Sequence, residues 1–203
     1  MIETKNKKPG MVRRLYEWVL SWADSPYGSV ALFILAFAES SFFPIPPDVL
    51  LIALAISRPK KAFHYALICS VGSVLGGIAG YGIGLFLMDT IGVKIFSAYG
   101  LMEKYSYVQA LYIKYDAWAV GIAGFTPIPY KLFTIAAGGF KISFPVFVIA
   151  STISRSLRFF IVAGLIYLYG QKIKAFLEKY FNLLTILFTV LLIGGFVIIK
   201  YLI

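Results

Sequence analysis

One cysteine and one histidine among 203 residues leave no intrachain disulfide and no Cys/His cluster that could hold a metal. Cys69 lies in apolar sequence, where a lone cysteine serves as a small packing residue. His64 sits in a basic stretch with no second ligand near it. Charge is scarce as well. Only 14% of the residues are charged, against about a quarter in a soluble domain, and 9 of them are acidic. The chain shows no nucleophile and base at a recognisable spacing, no glycine-rich phosphate loop before a basic residue and no zinc motif. Enzymatic chemistry, a cofactor and a metal are therefore not expected.

Hydrophobic residues make up 60% of the chain, and mean hydropathy is +0.85. Apolar windows run over about 27–56, 65–88, 117–140, 144–169 and 183–199, and a span needs about 20 residues. These features predict one all-α membrane protein. The net charge of +10 would suggest nucleic acid in a soluble protein. Here Lys5, Lys7, Lys8, Arg13 and Arg14 crowd the N-terminus beside a membrane domain, where a basic flank sets orientation and meets anionic headgroups. No nucleic-acid partner is expected. The basic start is followed by mixed apolar and polar residues rather than the core of a cleaved signal. Residues 11–24 are expected to form an interfacial amphipathic helix, with Trp18 and Trp22 one turn apart.

A Pro-Ile-Pro element occurs twice inside apolar sequence, at Pro44-Ile45-Pro46 and Pro127-Ile128-Pro129, 83 residues apart. Pro47 extends the first copy, and Asp48 and Lys131 lie two residues beyond the two elements. Segment 27–56 is too short for two spans and long for one, and both its flanks are basic. It is expected to enter the membrane, break at the prolines and return as a re-entrant hairpin. Segment 65–88 contains no proline and no Asp, Glu, Lys or Arg, and is expected to span. Its Gly72, Gly76, Gly80 and Gly84 recur every four residues, a strip about 18 Å long on which another helix can approach closely.

Residues 89–116 carry no net charge and several tyrosines, and suit the outer interface. Segment 117–140 repeats the hairpin and 144–169 repeats the span. The chain thus divides into a basic N-terminus with its interfacial helix (1–26), a membrane core (27–170), and a cytoplasmic link with a last span (171–203). One plan used twice from opposite faces is an inverted repeat. A competing plan, in which every apolar window is a simple span, leaves the prolines and buried charges without a role.

A charged group in hydrocarbon implies a polar cavity, a partner or a function. Glu39, Asp48, Lys131, Arg155 and Arg158 are such groups. Arg155 and Arg158 share a helical face and can offer donors to a phosphate or carboxylate. A broken helix frees N–H groups that receive an anion at membrane depth. If the hairpin tips meet, Asp48 is expected to pair with Lys131. Glu39 and Asp48 are the candidates for proton binding, since a medium of low dielectric favours a neutral acid.

Glu39 leading into Phe43-Pro44-Ile45-Pro46, Gly76 to Gly84 with Tyr81 between them, Gly124-Phe125-Thr126-Pro127-Ile128-Pro129, and Gly138-Gly139 followed by Arg155 resemble the DedA family of SNARE-associated or VTT-domain membrane proteins. The resemblance covers roughly residues 15–175. It implies a bacterial inner-membrane, multi-pass protein with two oppositely oriented re-entrant hairpins. It also implies a flippase or scramblase of a phospholipid or polyprenyl phosphate, dependent on proton-motive force. The family's acids and arginines map to Glu39, Asp48, Arg155 and Arg158. The sequence departs from the commoner pattern where Pro47 precedes Asp48, and where Phe125 and Lys131 stand in place of arginines. The partners so implied are membrane lipids with phosphate headgroups and protons, and self-association is compatible with all of this. A non-transporting envelope scaffold and a proton-coupled exporter of small cations remain as alternatives.

Overall fold

The computed structural model describes residues 22, 25–43, 45–100, 102–126, 129–170 and 172. The expected interfacial helix 11–24 (Trp22 apart), the last span 183–199, Pro44, Pro127 and Ile128 lie outside the described residues. Every regular element described is helical: α1 (Gly28–Ser41), α2 (Asp48–Ser57), a short 3₁₀ turn at Pro59–Lys61, α3 (Ala62–Leu87), a π turn at Met88–Gly92, α4 (Val93–Ala98), α5 (Met102–Lys114), α6 (Asp116–Phe125), α7 (Tyr130–Gly139) and α8 (Phe144–Gly170).

Length separates these helices into two kinds. At 1.5 Å per residue, α3 and α8 are each about 40 Å long and cross a hydrocarbon core of about 30 Å, whereas α1, α2, α6 and α7 are only about 15–21 Å long. The short ones come in pairs interrupted at the proline elements. Helix α1 stops at Ser41, with Phe42 and Phe43 both donating their amides back to the Ala38 carbonyl. Helix α2 then restarts with Pro47 as its N-cap and Asp48 in its first turn, where a carboxylate meets the positive end of the helix dipole. In the second pair the chain leaves α6 in extended conformation at Thr126 and re-enters α7 behind Pro129.

The two long helices run antiparallel. Phe63 near the start of α3 stacks on Phe160 and Tyr167 of α8, Arg155 reaches Ser73, and Tyr81 near the end of α3 packs on Phe144 and Phe147. Each hairpin takes one end of this pair. Leu32, Leu35, Leu50, Leu51 and Leu54 of the first hairpin form a core with Tyr65, Cys69, Phe159 and Ile166. Val120, Tyr130 and Ala137 of the second form another with Tyr81 and Phe147. The result is an all-α inverted repeat of re-entrant hairpin plus membrane-length helix, the architecture expected from the sequence.

The glycine strip explains how both hairpins sit on one helix. A Cβ at Gly72 would lie 2.7 Å from the Phe33 carbonyl oxygen of α1, and one at Gly76 would collide with the Phe37 backbone. Farther along, a Cβ at Gly80 would strike Thr134 of α7 and one at Gly84 the Ile135 carbonyl. Gly138 of α7 returns the contact against the Tyr81 carbonyl. The strip serves α1 with its first half and α7 with its second, and the tips of the two hairpins meet between them. There the Thr134 hydroxyl donates to the Ser40 carbonyl at 3.0 Å.

The outer face is apolar. Phe63, Leu67, Val71 and Leu75 on α3, and Ile149, Ile153, Leu157 and Leu168 on α8, are all exposed. Stripes of this extent are a surface for lipid rather than water, and the protein is a multi-pass membrane protein.

Candidate functional site

The site lies where the hairpin tips meet α8. Arg155 is roughly 17 Å from the start of that helix, near its middle, and only 2% of it is exposed. Its Nε donates to Ser73 Oγ of α3 at 2.6 Å, and its Nη2 donates to Glu39 Oε2 of α1 at 2.8 Å. The guanidinium plane is held between the rings of Tyr130, 4.8 Å away, and Phe159, 4.7 Å away, an attraction that grows when the cation is desolvated.

Two serines close the network. Ser40 Oγ lies 3.1 Å from Glu39 Oε2 and 2.7 Å from Ser73 Oγ. Each hydroxyl has a single proton. Ser40 gives its proton to the carboxylate, Ser73 gives its own to Ser40, and Ser73 accepts from Arg155. Arginine and glutamate are thus joined both directly and through a two-hydroxyl relay. Among the described residues Nη1 of Arg155 has no hydrogen-bond partner, and it is not sealed from the outside. It is a free donor.

One turn along α8, Arg158 ties the two breaks together. Its Nε and Nη2 donate to the two oxygens of Asp48 at 3.3 and 3.0 Å, a fork on a fork at the start of α2. Its Nη1 donates to the Thr126 carbonyl at 2.8 Å, one of the carbonyls that the end of α6 leaves without a helical partner. The pair is wetter than the first, with 20% of the arginine and 18% of the aspartate side chain exposed. A lysine holds one point charge and cannot make this three-way contact. Arg158→Lys is expected to leave a folded protein that loses about 1.5–3 kcal/mol, the value of a hydrogen bond to a charged group. A lowered melting temperature with an unchanged elution volume would register it.

The geometry therefore gathers Glu39, Asp48, Arg155 and Arg158 but distributes them differently from the expected arrangement. Asp48 pairs with Arg158 rather than Lys131, because Arg158 on α8 reaches both breaks, bonding Asp48 at one and the Thr126 carbonyl at the other. The two arginines do not converge as one open fork; each faces its own carboxylate. Lys131, in the first turn of α7, is half-buried and has no ion-pair partner among the described residues. The expected helix breaks fall beside these charges, with Pro46 and Pro47 before Asp48 and Pro129 before Tyr130.

Several residues of the site carry no charge and escape a reading of ionisable groups. Ser40, Ser73 and Thr134 are buried polar side chains, and Tyr130, fully buried, donates its hydroxyl to Ser151 while its ring faces Arg155. A signal existed. Ser40 and Ser41 adjoin Glu39, and Ser73 lies inside the glycine strip, hydroxyls where an apolar helix has no other need of them.

The VTT domain model matches residues 45–168. An uncharacterized protein of Haemophilus influenzae is 35% identical over 186 residues, 92% of this chain and 96% of that protein. One of Histophilus somni is 34% identical over 165 residues, 81% of this chain and 86% of its own. An uncharacterized protein of Methanocaldococcus jannaschii is 26% identical over 133 residues, 65% of this chain and 79% of that one. No solved structure matches.

Proposed function

The chain belongs to the VTT-domain family, known also as the DedA family, and from that premise we propose that it translocates a phospholipid or polyprenyl phosphate, with proton exchange at Glu39 and Asp48 driving the cycle. A general role in membrane transport is what family membership and the membrane-length helices support. The finer reading rests on one observation: each of the two arginines on α8, Arg155 buried and Arg158 half-buried, is held by a carboxylate from the first proline-broken hairpin.

Such pairs make an exchangeable anion site. With Glu39 ionised, Arg155 is neutralised internally. A proton on Glu39 removes that charge, and the guanidinium is left to bind an anion through Nη1 and the released Nη2. The same holds for Asp48 and Arg158. The lipid phosphate takes the place of the carboxylate while its tails stay along the apolar faces of α3 and α8. Headgroup release and loss of the proton restore the internal pairs.

Charge balance favours an anionic substrate over a small cation. Two acids and two arginines cancel, and Lys131, in the first turn of α7, adds one positive charge with no ion-pair partner among the described residues. The placement proposed for the protein is the bacterial inner membrane, with the basic flanks on the cytoplasmic side.

Glu39→Gln separates transport from scaffolding. The amide keeps an acceptor for Arg155 and for Ser40 but cannot change charge. Vesicles containing folded Glu39→Gln protein are expected to translocate labelled lipid at least tenfold more slowly than wild type. Wild-type rates from this variant would rule out Glu39 as the coupling acid, and the scaffold reading predicts no protein-dependent translocation by either form.

A further inference from the structure

At the open end of the first hairpin, away from the paired arginines, lies a small polar recess of about 30 Å³. Ser25, Ser29, Ser57, Arg58 and Tyr65 line it, with Gly28 and Leu54 closing its floor. Helix α2 separates it from Asp48 by its full length, roughly 15 Å. Three elements converge there: the start of α1, the end of α2 and the first turn of α3.

The donors in this recess outnumber its acceptors in use. At the start of the 14-residue helix α1, the Gly28 amide donates to the Ser25 carbonyl and the Ala31 amide to the Tyr27 carbonyl, while the amide of Ser29, which lines the recess, has no backbone partner among the described residues. Unmet amides at the positive end of a helix attract an anion, though a helix start by itself is ordinary. Tyr65 supplies the independent observation. The residue is 97% buried, with 3% relative exposure, it lines the recess, and its hydroxyl has no hydrogen-bond partner among the described residues and is not sealed off. A phenol packed this deeply almost always finds a partner. Here the recess is the direction in which a partner can lie.

Arg58 sets the sign of that partner. It carries no ion pair among the described residues, and its charge offsets the carbonyls that end α2 beside it, so the recess presents a cation, an amide and a phenol to whatever enters. We propose that this recess is a second anion site that takes a phosphate group, either from a lipid headgroup at the interface or as the free ion. Phosphate oxygens meet the Ser29 amide and the Tyr65 hydroxyl, another faces Arg58, and the ester substituent of a lipid projects outward. The position, between the basic run Arg58-Pro59-Lys60-Lys61 and the start of the first hairpin, is the level at which headgroups lie. The site anchors α1 to α2 and does not depend on translocation by the arginine pairs.

Equilibrium binding to the full chain tests it without any transport measurement. One arm titrates delipidated protein in a zwitterionic detergent with inorganic phosphate and follows it by ³¹P line broadening. The other counts, by native mass spectrometry, the phosphatidylglycerol retained from a mixture of phosphatidylglycerol and phosphatidylcholine. Tyr65→Phe removes one oxygen and no charge and is expected to weaken binding at least threefold; Arg58→Gln is expected to weaken it at least tenfold. Lys60→Gln removes the same charge outside the recess and is expected to change binding less than twofold. Binding in the first arm alone identifies a free-anion site, binding in the second alone a headgroup site, and binding in both a site for either. Absence of binding in both arms overturns the proposal. So does a Tyr65→Phe protein that binds like wild type, or a Lys60→Gln protein that loses as much as Arg58→Gln, since a diffuse basic patch would then suffice.

Discussion

Gly84→Val is expected to abolish the folded protein. A Cβ at Gly84 would overlap the Ile135 carbonyl and stand 3.0 Å from the Gly139 amide nitrogen. Both neighbours are backbone, so no rotamer change relieves the collision, and α3 and α7 must separate along the contact that seats the second hairpin. Overpacking a core by a methylene or two typically costs about 1–3 kcal/mol when side chains can shift; rigid backbone on both sides makes this case larger. Separation also withdraws Thr134 from Ser40 and Tyr130 from Arg155, so the damage reaches the charged site. Size-exclusion chromatography of the detergent-solubilised variant should show the monodisperse peak lost. Gly82 is two residues away on the same helix, with nothing within 4 Å of its would-be Cβ, and Gly82→Ala is expected to elute as wild type. A monodisperse Gly84→Val protein would mean that α7 does not lie on this strip.

Arg155→Ala is expected to lose about 3–5 kcal/mol of stability, because removing one member of a buried pair leaves the other charge uncompensated. The side chains involved are 3% and 14% exposed, so water cannot readily take over for Glu39. The deletion also empties the slot between Tyr130 and Phe159 and orphans one bond of Ser73. Thermal melting in detergent measures the loss. Glu39→Gln combined with Arg155→Met removes both charges at similar volume, and much of the stability is expected to return. A melting temperature for Arg155→Ala equal to that of wild type would show that the pair is not buried as described.

The parts of this architecture that were legible beforehand are those written in local pattern. Proline pairs inside apolar sequence marked the breaks, because proline removes an amide and clashes with the preceding turn wherever it stands. Glycines four residues apart marked a contact strip on α3, and arginines three apart on α8 marked one face. What the pattern could not supply was which elements cross. Asp48 and Lys131 are equivalent by repeat, and symmetry alone pairs them. Instead α8 comes within reach of both breaks, and Arg158, with its longer reach and forked donors, takes Asp48 together with the Thr126 carbonyl. The double use of the glycine strip was hidden for the same reason: the spacing of Gly72 to Gly84 is uniform, and nothing in it says that α1 ends and α7 begins near Gly80. Ser40 and Ser73 matter only once α1 and α3 are side by side.

The Glu39–Arg155 and Asp48–Arg158 pairs are proposed to form a lipid-phosphate site used in translocation. Headgroup exposure of labelled phosphatidylglycerol and labelled polyprenyl phosphate, followed by quenching from outside in protein-free, wild-type and Arg155→Ala vesicles, tests it most directly. Wild-type vesicles should expose inner-leaflet label of at least one of the two lipids faster than protein-free vesicles, and Arg155→Ala vesicles should fall to the protein-free rate. Equal rates in all three for both lipids would rule out that role for the two pairs.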